Sequence, residues 1–223
     1  MTPSIDPEIA LSIAYARADR RAALETIWAL DAQLGGIVRS TSEPMIGAMR
    51  LTWWRDAIDA LGHGPVPAEP LLQRLATVPG AQEGAAGRLS EMAEGWISLL
   101  DPFPLAREGL EAYARQRGGV LFSELARQLG AAVTPAIPGA GAGWVLVDFA
   151  FRCSDRATAE AALDLAGPML LSAMATRWPR EARPLGMLAS LALRDARAGL
   201  GVARQSGAPL RLLHMLRHRL TGR

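Results

Sequence analysis

The chain contains no lysine, a single cysteine, two tyrosines and three histidines among its 223 residues. Each shortage excludes something. Cys153 has no second cysteine to pair with, so a disulfide-stapled fold is excluded and a reducing, cytoplasmic setting is expected. No run of about 18 apolar residues escapes charge, so no membrane span is expected. The opening MTPSIDPEIALSI lacks a basic stretch and an apolar core, and does not read as a secretory signal. His63 falls in a linker, while His214 and His218 stand one helical turn apart without a third ligand. They read as a surface pair beside arginines, and no metal site is expected. No GxSxG nucleophile setting occurs, and GAGAGW has no βαβ context for a dinucleotide.

Without lysine, every fixed positive charge is a guanidinium. Residues 1–176 hold 14 arginines against 20 acidic residues, a balance of −6; residues 177–223 hold 10 against 2, a balance of +8. An arginine-rich end suits phosphate or anionic lipid, because the guanidinium is a planar bidentate donor. No nucleic-acid motif accompanies it, so nucleic acid is not an expected partner.

What is present reads as helix nearly throughout. Asp6, Pro7 and Glu8 make a helix start, with a cap, a first-position proline and a first-turn acid. RRAALETIWALDAQL puts Leu24, Ile27, Trp28 and Leu34 on one stripe. SEPMIGAMRLTWWRDAIDALG starts at Ser42–Pro44, sets Ile46, Met49, Trp53 and Ala57 on one face, and stops at Gly62. HGPVPAEP is a linker. Further helices are expected near 70–76, 83–99, 105–130, 140–152, 156–175, 184–200 and 208–220. WVLVDF alone looks strand-like, and helices on both sides assign it to a buried helix. TPAIPGAGAG reads as a loop, and residues 1–223 as one all-α domain. The tandem Trp53 and Trp54, with Arg50 and Arg55 beside them, read as core anchors; alternatively the arginines hold a diphosphate beside an apolar cavity.

The order of RRAALETIWALDAQL, MRLTWWRDAIDAL, LEAYARQRGGVLFSELARQLG and GAGWVLVDFAFRCSD resembles the squalene/phytoene synthase family, the head-to-head prenyl transferases. The resemblance implies an all-α isoprenoid synthase bundle with a central cavity, shortened here at its C-terminus. Two acidic motifs on facing helices would bind Mg²⁺ and, through it, prenyl diphosphates. The first would fall in LDAQLGGIVRS, where its aspartates meet Gly35, Gly36 and Arg39. The second would fall in VDFAFRCSD, where Asp148 replaces an asparagine, Phe151 and Arg152 replace Arg-Asp, and Asp155 alone remains acidic. Glycine offers no ligand to a hard cation, and Arg39 repels one.

The resemblance therefore implies a non-catalytic member, with no catalytic residue and no resident metal. Candidate cavity residues for a prenyl diphosphate or other isoprenoid are Arg39, Arg50, Trp54, Arg55, Tyr113 and Asp148. SEPMIGAMRLTWWRDAI also resembles the mitochondrial complex I assembly factors of the phytoene-synthase-like group, which implies respiratory-chain protein clients. The alternative is a divergent prenyl transferase, with Mg²⁺ on Asp148, Asp155 or other acids. Residues 208–220 combine Leu213, Leu216 and Leu220 with Arg211, Arg217, His218 and Arg219. They read either as a last bundle helix with a solvated basic face or as a contact with an anionic membrane, peripheral on the inner membrane.

Overall fold

Asp6 caps the first helix as its sequence suggests: its carboxylate accepts the Glu8 amide at 2.8 Å, and Pro7 takes the first position. The computed structural model describes residues 5–223. Helix α1 (Pro7–Ala14) leads to α2 (Ala18–Ser40), α3 (Pro44–Asp59), α4 (Pro70–Ala76) and α5 (Ala86–Ile97). Then come α6 (Arg107–Tyr113), α7 (Val120–Gln128), α8 (Ala136–Ala150) and α9 (Arg156–Met174), with α10 (Arg183–Ala198) and α11 (Pro209–Thr221) closing the chain. A π turn, Ala114–Gly119, joins α6 to α7. There is no strand among the described residues, and none of their helices is long and apolar enough to cross a membrane.

WVLVDF lies inside α8, buried all round from Ala140 to Ala150. Packing against α7, α9 and α10 explains why its pattern is a continuous apolar run rather than a stripe. The expected loop TPAIPGAGAG is corrected: the helix already starts at Ala136. Its glycines serve close approach rather than bending. A β-carbon on Gly118 or on Gly141 would overlap the carbonyl oxygen of the other, so α8 crosses the π turn with the two backbones in contact.

Two helices turn an unexpected side inward. On α3 the buried residues are Gly47, Leu51, Trp54, Ala57 and Ile58, while Ile46, Met49 and Trp53 face solvent. Only Ala57 of the expected face is buried, and of the tandem tryptophans only Trp54 anchors the core. A β-carbon on Gly47 would approach Leu100 to 3.1 Å, so the glycine sets the side on which α3 meets its neighbour. On α11 the inward residues are Arg211, Met215 and His218, and Leu210, Leu213 and Leu220 point outward.

The surface histidine pair is therefore also corrected. His218 is 1% exposed, packs on Trp178 and Gly186, and neither ring nitrogen has a well-formed hydrogen bond among the described residues. Burial, with Arg183 nearby, pushes its pKa down to about 4. His214 is half-buried, with Nε2 3.2 Å from the Ser190 carbonyl oxygen.

Candidate functional site

The stripe of α2 that buries Ile27, Trp28 and Leu34 also buries one charged residue, Asp31. An isolated carboxylate there would carry a large desolvation cost, so it demands a cation. Arg117 supplies it from the π turn. An i→i+5 turn holds an extra residue, which rotates the side chains that follow; here Arg117 points inward while Arg115 stays exposed. Nε and Nη2 of Arg117 donate to the two oxygens of Asp31, each at 2.8 Å. Nη1 donates to the Tyr113 hydroxyl, and Nη2 lies 3.7 Å from Asp148. Burial works against the Arg117 charge, yet Asp31 and the other acids beside it hold the pKa above its ordinary value. Burial likewise pushes the Tyr113 hydroxyl up, so it stays protonated.

Aromatic rings close around this pair. The guanidinium carbon lies 4.1 Å from the centre of Trp96 and 5.8 Å from that of Trp144, and Tyr113 meets Trp96 and Phe149 edge to face. Gly35, one turn beyond Asp31, is what admits Trp96. A β-carbon there would come within 2.7 Å of the indole. The adjacent glycines of α2 are thus partly a packing device. Arg39 folds back over them, its guanidinium nitrogens 3.0 and 3.9 Å from where the two β-carbons would stand.

Asp148 connects this pair to a second cluster. Its carboxylate accepts from Arg152 at 3.0 Å and lies 3.7 Å from Arg204. Arg204 in turn lies 3.7 Å from Glu8 and 3.4 Å from Asp195. Arg211 grips both of these acids, donating to Glu8 at 2.6 Å and to Asp195 at 2.5 Å. Four carboxylates, Glu8, Asp31, Asp148 and Asp195, are thereby matched by four guanidinia, from Arg117, Arg152, Arg204 and Arg211.

The six candidate cavity residues do not converge. Tyr113 and Asp148 meet through Arg117. Trp54 is a core residue, with Trp53 packed edge-on against it at 5.4 Å. Arg55 pairs with Asp56 and Glu94, while Arg50 and Arg39 are exposed. Asp155 caps α9, accepting the Thr158 amide at 2.8 Å. Between α2 and α8, where the resemblance implies a cavity, stand Arg117 and its rings; a groove of about 470 Å³ opens instead to solvent, beside α7. Sequence reasoning missed Asp31, Arg117, Trp96 and the Glu8–Asp195–Arg211 cluster. Asp31 carried a signal, being an acid at an apolar stripe position. Arg117, four residues after Tyr113, carried the same one.

A sequence model of the family described as squalene/phytoene synthase matches residues 3–166. No curated protein and no solved structure matches the chain.

Proposed function

The chain belongs to the squalene/phytoene synthase family, and from that premise we propose that it is a non-catalytic member, a scaffold that attends an anionic membrane and assists assembly of a respiratory complex. The carrying observation is Arg117. It lies between Asp31 and Asp148, beside both segments where the family places its Mg²⁺ ligands, and it takes both oxygens of Asp31.

The residues present do not fit the metal. Gly35 and Gly36 bring no oxygen, Arg39 lays a guanidinium across them, Arg152 takes Asp148, and Asp155 is occupied as a helix cap. Mg²⁺ needs near-octahedral oxygen ligation, and a fixed guanidinium competes for the same carboxylates. No condensation step follows from this site, and the divergent-transferase alternative loses support.

Two surfaces support the scaffold role. The segment that resembles the complex I assembly factors buries Gly47, Leu51, Trp54 and Ile58 for the fold, but leaves Met45, Ile46, Met49 and Trp53 along one side in solvent. Methionine-rich surfaces accommodate varied partners, and this side suits an apolar helix of a client. On α11, Leu210, Leu213 and Leu220 are 62–77% exposed around Arg217, a basic amphipathic face of the kind that lies on anionic lipid.

The test is incubation with farnesyl or geranylgeranyl diphosphate, with and without Mg²⁺, followed by product analysis and calorimetry. We expect no coupled hydrocarbon and no metal dependence of any binding. A Mg²⁺-dependent triterpene or tetraterpene product overturns the reading.

A further inference from the structure

The groove of about 470 Å³ lies between α5, the π turn with α7, and the first turns of α8, away from the residues assigned above. Its volume falls in the range of small-ligand sites, about 300–1,000 Å³. The floor is apolar, made by Val120, Ala142 and Met169. Gly139 deepens it: a β-carbon there would meet nothing within 4 Å.

The rim is basic and incompletely paired. Arg88 and Arg127 both donate to the same oxygen of buried Glu124, at 3.0 and 3.1 Å, so two guanidinia share one carboxylate. Arg115 makes no ion pair among the described residues, and Glu91 is the one acid on the rim. Counting Glu124 beneath, three cations face two acids, which leaves one positive charge over. Ser123, also in the lining, makes no side-chain hydrogen bond among the described residues, unlike Ser90, Ser98 and Ser190, which donate to carbonyls of their own helices.

We propose that this groove binds a single-chain phosphate amphiphile, with the apolar chain on Val120, Ala142 and Met169 and the phosphate between Arg115 and the Arg88–Arg127 pair. Ser123 donates to the headgroup. Guanidinium suits phosphate because two parallel donors meet two oxygens. The site is independent of the non-catalytic reading and stands or falls without it.

Calorimetric titration of the whole protein with dodecyl phosphate, below its micelle concentration, tests the assignment. Inorganic phosphate and dodecanol serve as the head-only and chain-only arms. We expect one saturable site for dodecyl phosphate, at least about tenfold tighter than either arm. Arg115→Gln should weaken it about tenfold, the scale of one charge-assisted contact. Gly139→Leu, which fills open space on a helix, should abolish it without lowering the melting temperature. Arg115 is exposed, so its variant reports even if Gly139→Leu fails to fold. The proposal is overturned if no saturable binding appears, if phosphate alone binds as well, or if Arg115→Gln leaves the affinity unchanged.

Discussion

Arg117 and Arg211 are both buried and both gripped by carboxylates distant in sequence, yet their surroundings differ in a way that separates interior from periphery. Arg117 lies among Trp96, Tyr113 and Trp144, and beyond Asp31 its nearest further acid is Asp148 at 3.7 Å. Arg211 joins α1, α10 and α11 through Glu8 and Asp195, with Arg204 within 3.7 Å of the same two acids. Among the described residues no cation but Arg117 pairs with Asp31; the second pair has a spare. Arg117 falls within the span matched by the family model and Arg211 beyond it. The interior pair joins α2 to the π turn, and the outer one ties α1 to α10 and α11.

Removing each arginine breaks the comparison most directly. Arg117→Leu should lower the unfolding free energy by about 3–5 kcal/mol, since it strands Asp31 in an apolar shell. The double variant Asp31→Leu with Arg117→Leu should recover most of that loss, as buried pairs are replaceable by apolar groups. A single variant within about 1 kcal/mol of the parent in urea unfolding would contradict the account. Arg211→Leu should cost less, about 2–4 kcal/mol, because Arg204 can close on Glu8 and Asp195. If Arg211→Leu proves the costlier, Arg204 is no substitute.

The placement of helices, the α1 cap, the burial of WVLVDF and the family are legible in the sequence, because each rests on local chemistry or on ordered motifs. The inward sides of α3 and α11 are not. On α3 apolar residues occur on two sides, and periodicity cannot choose between Ile46–Met49–Trp53 and Leu51–Trp54–Ile58; Gly47 against Leu100 decides. On α11 the pattern misleads, since an ion-paired arginine and a histidine face inward while leucines face out. Asp31 and Arg117 each stand out as a charge at an apolar stripe position, but they are 86 positions apart, and nothing local says that one meets the other. Gly35 reads as a lost ligand and is also the seat of Trp96.

Acid should act on the periphery through His218. Its pKa is about 6.5 unfolded and about 4 folded, so below pH 6.5 the unfolded chain binds the extra proton. Stability then falls as pH drops from about 6.5 to about 4 and levels off below, a loss of about 3 kcal/mol at most. Arg183 of α10, with His214 and Arg219 on α11, keeps the surroundings of His218 positive. His218→Leu should flatten that part of the stability–pH curve. A curve that retains its slope would place the titration elsewhere.

The smallest effect on folding tests whether the outward leucines have a purpose of their own. Leu213 is 62% exposed, so Leu213→Ser should change unfolding free energy by no more than about 0.5 kcal/mol. Its side chain would enter an anionic bilayer together with Leu210 and Leu220, and Arg217 would meet the headgroups. Sedimentation with phosphatidylglycerol vesicles should then show binding to the parent, weaker binding for Leu213→Ser, and a further fall with salt that neutral vesicles do not reproduce. Unchanged sedimentation for Leu213→Ser would take α11 out of membrane contact. It would leave the helix what Arg211 alone makes it, the clasp between the two ends of the chain.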